Sequence, residues 1–324
     1  MHPGLVAAGA SIIASSAAML QVLVHVARFA KSPDPVAIVG DTGSGKSTIA
    51  RLLHEVSGRP GRLADISAGE LDTALAPDDL FGHGRGAFTG AVERRRGLFV
   101  EAAGGTVLLD DFHWLRRSNQ LRLLRVLDRR EFRHLGDDRA VPLEARIIVG
   151  THRSLDELMR RGTLVPDLRW RLGLLEIRVP SLAERVEDIA PLALRFLSEC
   201  LDESGGRGPR QVSPHAIAAL ELCAWPGNVR QLRAVVRRAF AEAGDVEAVD
   251  AAHLGLEAPR RFDSAAPLEW KRRLVRWALW RTKGRVREAA DLIGAHRNTV
   301  SAIKARLDEA AGRGECIARS NALR

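Results

Sequence analysis

The stretch that most constrains this chain is Gly40-Asp41-Thr42-Gly43-Ser44-Gly45-Lys46-Ser47, which fills every fixed position of the pattern G-x-x-x-x-G-K-[ST]. Pro35-Val36-Ala37-Ile38-Val39 ahead of it reads as a short buried strand, and Ser47 to Leu53 behind it as the start of a helix. A strand, a glycine loop and a helix N-terminus form an anion cradle, because backbone N–H groups converge there and the helix dipole favours negative charge. Gly43 and Gly45 permit backbone conformations closed to other residues. Gly40 through Thr48 are therefore the candidate phosphate-binding residues. Lys46 is expected to reach the outer phosphates of ATP, and the Ser47 hydroxyl to ligate Mg2+. A plain glycine turn before a helix has no need of the lysine and the hydroxyl.

At 324 residues the chain has room for two or three domains. Its charge is unevenly placed: residues 259–324 hold 16 Lys+Arg against 7 Asp+Glu, while residues 1–258 hold 33 of each. A neutral body with a basic end points to an anionic polymer as partner of that end. Cys200, Cys223 and Cys316 have no metal-ligand or redox spacing and suit a reducing cytoplasm. Gly4 to Ala27 carries no Asp, Glu, Lys or Arg, yet no positive charge precedes it and Gln21 and His25 interrupt it. The expectation there is a loop followed by a helix capped by Ser15 or Ser16, with Leu20, Leu23, Val24 and Ala27 as its buried stripe and no membrane anchor.

Along the chain, Leu63 to Ile66 is a short strand candidate. The segment from Asp79 to Ala91 carries glycine at 82, 84, 86 and 90, so it reads as a loop displaying one aromatic ring, Phe88. An apolar ring among small residues at a loop tip suits a protein contact. Gly105 to Asp111 is an apolar strand ending in two carboxylates, and ligands of parallel sheets bind at such carboxyl ends. Asp110 is expected to hold Mg2+ and Asp111 to polarise an attacking water. Asn119 to Arg130 reads as a helix with Leu121, Leu124 and Leu127 on one side. Arg146 to His152 and Leu174 to Val179 are two further strands, after which everything reads helical. The fold class is thus α/β, a doubly wound parallel sheet over residues 1–180, with a helical lid over 181–257.

Residues 258–267 read as a linker. Leu268 to Lys283, Val286 to Ile293 and Arg297 to Leu307 then form three helices with a tight turn at Gly294-Ala295-His296, which is helix-turn-helix spacing over a small all-α domain, 268–324. His296, Arg297, Asn298, Thr299, Ser301, Lys304 and Arg306 belong to its turn and last helix, side chains suited to base edges and phosphates of double-stranded DNA.

Taken together, the chain resembles the bacterial enhancer-binding proteins, the AAA+ activators of sigma-54 RNA polymerase. The likeness runs from about Ile12 to Leu307. Gly86-Ala87-Phe88-Thr89-Gly90-Ala91 is identical to that family's GAFTGA signature. Leu80-Phe81-Gly82-His83, Trp225-Pro226-Gly227-Asn228-Val229-Arg230 and the Fis-type helix-turn-helix also match. The resemblance implies a homo-oligomeric ring, usually a hexamer, that hydrolyses ATP between subunits, with Phe88 and Thr89 pressing on the sigma-54 holoenzyme and DNA held upstream at an enhancer. It implies a cytoplasmic protein, with Arg230 as the lid's sensor arginine and Thr151 and His152 at the sensor position of the sheet. No receiver or ligand-sensing domain is expected ahead of the ATPase.

Several positions depart from the family's usual pattern. Asp111 stands for the usual Glu of the Walker B strand, which draws the carboxylate back by one methylene; misplacement of about an ångström can cost around 100-fold in rate. Ser67 replaces the Asn that restrains this carboxylate, and His152 the sensor Asn. Of the two subunit-bridging arginines Arg171 matches one, while Val165 replaces the other; such a residue can be worth about 10³–10⁵ in turnover. Arg169 offers a substitute from a shifted position. Two readings therefore stand: a working ATPase activator with a compensated site, or an ATP- and DNA-binding regulator deficient in hydrolysis that acts with an active paralogue.

Overall fold

The computed structural model describes residues 12–72, 76–87, 91, 93–256 and 268–307. They fall into two compact units, divided between Arg185 and Val186.

In the first unit, α1 (Ala17–Phe29) precedes strand β1 (Val36–Val39), and α2 (Lys46–Ser57) follows it. Strands β2 (Leu63–Ser67), β3 (Thr106–Asp110), β4 (Arg146–Thr151) and β5 (Leu175–Arg178) complete a five-stranded parallel sheet in the order β2-β3-β4-β1-β5. The strands at its centre are near-continuous apolar runs because both faces are covered. Alternation within each strand sorts the side chains into two layers. Val36 and Ile38 of β1, Leu108 of β3 and Ile148 of β4 pack with Met19, Val22 and Val26 of α1 and with Ile49, Leu52 and Leu53 of α2. Ala37, Val107, Leu109, Ile147 and Val149 face the other layer, built on α3 (Arg117–Arg129), α4 (Pro166–Leu172) and the rings of Phe81, Phe99 and Phe132.

Two helices bury a different face from the one their leucines suggest. In α1, capped by Ser16, the buried residues are Met19, Val22 and Val26, while Leu20 and Val24 are 50% and 56% exposed. The helix is apolar almost all round, so its own pattern leaves the orientation open. An anchor outside it helps set that orientation: Arg146, at the start of β4 and 1% exposed, donates to the carbonyls of Phe29, Ala30 and Asp34 at 2.7, 2.7 and 3.2 Å. The guanidinium thus caps the negative end of the α1 dipole. Burial pushes its pKa down to about 10, leaving it charged at neutral pH.

In α3 the buried positions are Asn119, Gln120, Leu123, Val126 and Leu127, with Leu121 exposed. The two amides are inside because each satisfies backbone. Asn119 donates to the Leu71 carbonyl at 3.2 Å. Gln120 donates to the Leu115 and Thr163 carbonyls and accepts from the Val165 N–H.

The second unit holds helices α5 (Ile189–Glu203), α6 (Pro214–Glu221) and α7 (Asn228–Ala243), with a short parallel pair, Gln211–Val212 on Ala248–Val249. Trp225 turns the chain at φ 51 and donates its indole N–H to the Leu220 carbonyl. Then come α8 (Leu268–Arg281), α9 (Val286–Ile293) and α10 over 297–307. Their shared core is Leu274, Val275, Ala278, Ala289, Ala290, Ile293, Val300 and Ile303, and Leu222 from the end of α6 belongs to it too. Arg273 reaches Glu221 at 3.1 Å. A short turn joins α9 to α10, with Gly294 in the left-handed region at φ 65. The sequence reading sets these helices apart as a domain of their own, but a separate domain is not evident, because the apolar faces of α8 and the end of α6 cover one another. The expected linker, 258–267, lies outside the described residues. No helix among the described residues is long and apolar enough to cross a membrane.

Candidate functional site

The glycine loop joins β1 to α2 as the spacing requires. Gly43 and Gly45 take φ 76 and 109, and Gly45 is the N-cap of α2. Gly40 is pinned by contact: a Cβ there would sit 2.7 Å from the Val179 carbonyl. Lys46 is buried and donates to the carbonyls of Gly40 and Asp41 at 2.9 and 3.3 Å, so its ammonium spans the mouth of the loop. Ser44 Oγ is buried with no hydrogen-bond partner among the described residues, while its carbonyl accepts from Arg185. An orphaned hydroxyl inside an N–H-rich loop fits a phosphate ligand.

Ser47 and Asp110 meet at the carboxyl edge of the sheet, the Ser47 hydroxyl donating to Asp110 Oδ2 at 3.0 Å. Asp110 Oδ1 accepts from the Asp111 N–H at 2.9 Å. Two hard oxygens side by side suit Mg2+, so the residues present fit the expected metal. Gly150 on the neighbouring strand makes room: a Cβ there would lie 2.4 Å from Asp110 Oδ1. Asp111 follows in the left-handed region at φ 49, which Asp tolerates better than most residues. Ser67, on β2 beside Asp110, accepts at its Oγ from the Gly69 N–H and so serves its own turn. Thr151 is buried, with its hydroxyl between the carbonyl and N–H of Arg153 and its carbonyl accepting from the Gly40 N–H.

His152 does not stand alone. Its ring meets His113 edge to face, centroids 4.0 Å apart at 82°. Asp111 completes a cluster with both rings. Burial, first, and then His152 hold the His113 imidazole below its ordinary pKa, with Asp111 opposing. The sequence reading passes over His113, since 39 positions separate it from His152 and no local spacing signals the pair.

The arginine candidates are engaged within the chain. Arg171 donates to the Leu127 carbonyl at 3.0 Å and lies 3.4 Å from Asp128, at the C-terminal end of α3. Arg169 pairs with Asp156 at 2.8 Å and lies over the Trp170 ring. Val165, where the resemblance calls for a second arginine, is buried. In the second unit Arg230 is exposed in the first turn of α7.

The described residues on either side of Phe88, Thr89 and Gly90 form a braced stem. Gly82–His83 pairs antiparallel with Arg95–Arg96. Buried Asp78 sits 2.5 Å from His83 Nδ1 and accepts from Arg95 at 2.8 Å. Gly86 donates to the Ala91 carbonyl at 2.8 Å, and Ala87 donates to the Gly84 carbonyl at 3.2 Å. Phe88, Thr89 and Gly90 lie outside the described residues. On α10, Arg297, Asn298, Ser301 and Arg306 are exposed and Thr299 and Lys304 half-buried, opposite buried Val300 and Ile303; His296 precedes the helix and accepts from the Asn298 N–H.

A parallel sheet in this order, with a glycine loop on β1 and paired acids on β3, defines an AAA+ nucleotide-binding module. Comparison with known proteins agrees. Residues 12–178 match the Sigma-54 interaction domain and residues 183–268 the AAA+ ATPase lid domain, so the chain belongs to the sigma-54-interacting AAA+ family of transcriptional regulators. It is 37% identical over 306 residues to the transcriptional regulatory protein ZraR of Klebsiella oxytoca, covering 91% of this chain and 69% of that one. It is 36% identical over 247 residues to the sigma-54-dependent transcriptional activator SfnR of Pseudomonas putida, covering 75% and 67%. Among solved structures, NtrX from Brucella abortus in complex with ADP superposes with a TM-score of 0.71 at 29% identity, over 94% of this chain and 70% of that one.

Proposed function

We propose that this protein is a cytoplasmic ATP-dependent activator that remodels the sigma-54 RNA polymerase holoenzyme through the loop Gly86–Ala91, from a homo-oligomeric ring held on double-stranded DNA by α10. The observation that carries the reading is the meeting of Ser47 with Asp110, which brings the phosphate loop and the acidic strand end into one oxygen-lined site. Lys46 would bind the outer phosphates of ATP, Ser47 and Asp110 would hold Mg2+, and Asp111 would orient the attacking water. Mg2+, when bound, neutralises charge on the phosphates. The stem hydrogen bonds of Asp78 would hold the loop firm enough to transmit force to sigma-54. Arg297, Asn298, Ser301 and Arg306 would meet phosphates and base edges.

A second reading has its own support. Ser67 is turned to its own backbone and Val165 is buried, so two positions of the family's catalytic shell carry no group poised for chemistry, and Arg169, the substitute from a shifted position, is paired with Asp156. On that reading the chain binds ATP and DNA but hydrolyses poorly, and works beside an active paralogue.

Steady-state ATP hydrolysis across a protein concentration series, beside Lys46→Ala, separates the two. Turnover that rises with concentration and vanishes in Lys46→Ala supports the working activator. ATP binding without turnover supports the second reading. Loss of neither binding nor turnover in Lys46→Ala sinks both.

A further inference from the structure

We infer that Asp111, His113 and His152 form a site for a divalent transition metal of the zinc class, distinct from the Mg2+ position at Ser47 and Asp110. The three residues arrive from two strand ends: Asp111 and His113 just beyond β3, His152 just beyond β4. One ligand atom from each lies within 4.8 Å of the others. Three donors around a tetrahedral zinc at its usual bond lengths are about 3.4 Å apart, so the side chains have about an ångström to close on an ion.

The chemistry of the donors selects the ion. Two imidazoles and one carboxylate suit zinc, cobalt, nickel or copper, whereas the Ser47–Asp110 pair offers only hard oxygens. Three protein ligands also leave a fourth position open. His113 supplies an independent sign. Its Nδ1 is buried with no hydrogen-bond partner among the described residues, although buried ring nitrogens are ordinarily paired. All three side chains are half-buried, so an ion can enter from solvent.

The site has a consequence that rests on the proposed function. A metal on Asp111 takes the carboxylate that would orient the attacking water, so zinc would slow ATP turnover without competing for the phosphate loop.

The test is a titration of the full chain with Co2+ in excess Mg2+, followed by visible absorption, then displacement by Zn2+. The wild type is expected to take one equivalent, with bands of nitrogen and oxygen ligation and no thiolate charge transfer. His113→Ala and, separately, His152→Asn are each expected to weaken binding at least about tenfold, by analogy with the 10–100-fold lost when even supporting residues of metal sites are changed. Circular dichroism of both variants checks that they fold; if one does not, the other decides. Uptake of no equivalent by the wild type, thiolate spectra, or unchanged affinity in folded variants overturns the site. Turnover measured separately on chelator-treated protein in Mg2+ alone separates the two claims: a chain that binds Co2+ through these residues yet hydrolyses no ATP in Mg2+ alone keeps the metal site and loses only the activator reading.

Discussion

The Ser47 hydroxyl donates to Asp110 Oδ2 at 3.0 Å, although 63 positions separate the two residues. One stands in the first turn of α2 and the other at the end of β3, and the strand order places β4 between β3 and β1. If the pair holds Mg2+, ATP should raise the melting temperature more with Mg2+ than without it, by ligand linkage. In Asp110→Asn the Mg2+-dependent part of that rise should disappear while the part seen in EDTA remains. An undiminished Mg2+ effect in the variant would place the ion elsewhere.

Gly150 is a packing requirement of the same carboxylate. In Gly150→Ala the new methyl would meet Asp110 Oδ1 at 2.4 Å, so the carboxylate must leave the position that its bonds to Ser47 and the Asp111 N–H hold. Urea unfolding should show a loss of about 1–3 kcal/mol, the usual cost of overpacking. ATP affinity in Mg2+ should fall with it. A variant as stable as the parent, with unchanged affinity, would contradict the geometry.

Arg146 holds the C-terminal end of α1 against the sheet. Arg146→Met keeps bulk but strands the Phe29, Ala30 and Asp34 carbonyls. The expected loss is at least about 3 kcal/mol, given roughly 1–3 kcal/mol for a buried polar group left unpaired. Hydrogen exchange of the α1 amides should accelerate more than that of α3. Equal acceleration in both helices would mean a global rather than an anchoring role.

His54 makes the first unit sensitive to acid. Its Nδ1 lies 2.9 Å from Thr106 Oγ1, and burial lowers its pKa from 6.5, with Glu55 opposing and Arg59 assisting. Between 6.5 and the lower folded value the unfolded chain binds more protons, so stability falls as pH drops through that window. The His54 contribution is fully present above it. Denaturation midpoints at pH 7.5 and 5.5 should therefore differ less in His54→Gln than in the parent. Identical differences would remove His54 from the acid response.

Asp78 braces the loop stem by holding His83 and Arg95. In Asp78→Ala trypsin should cut the 84–94 segment several-fold faster, at Arg85 or Arg94, while cleavage in the second unit keeps its rate. If the loop rate is unchanged, the stem is held by backbone pairing alone.

The sheet, its crossovers and the phosphate loop were legible because each is written locally. Val36–Val39 and Arg146–Thr151 are apolar runs bounded by polar or glycine turns, and the glycine pattern needs its strand and helix on either side. Helix faces were less legible. In α1 nearly every position is apolar, so Leu20 and Val24 looked as eligible for burial as Met19 and Val26. In α3 the burial of Asn119 and Gln120 depends on carbonyls at Leu71, Leu115 and Thr163, which no local pattern displays.

What the sequence alone determined is the class of chemistry: a phosphate cradle, an acidic strand end and a GAFTGA sequence, each a short motif whose residues lie near one another in the chain. What the tertiary structure decided is which distant groups meet. Ser47 found Asp110, Arg146 found the end of α1, and His113 found His152, each across an interval with no periodicity to announce it. The reason is physical. Parallel strands gather their carboxyl ends at one edge whatever the length of the crossovers between them, so contact at that edge follows strand order, and strand order is settled by packing of the whole sheet.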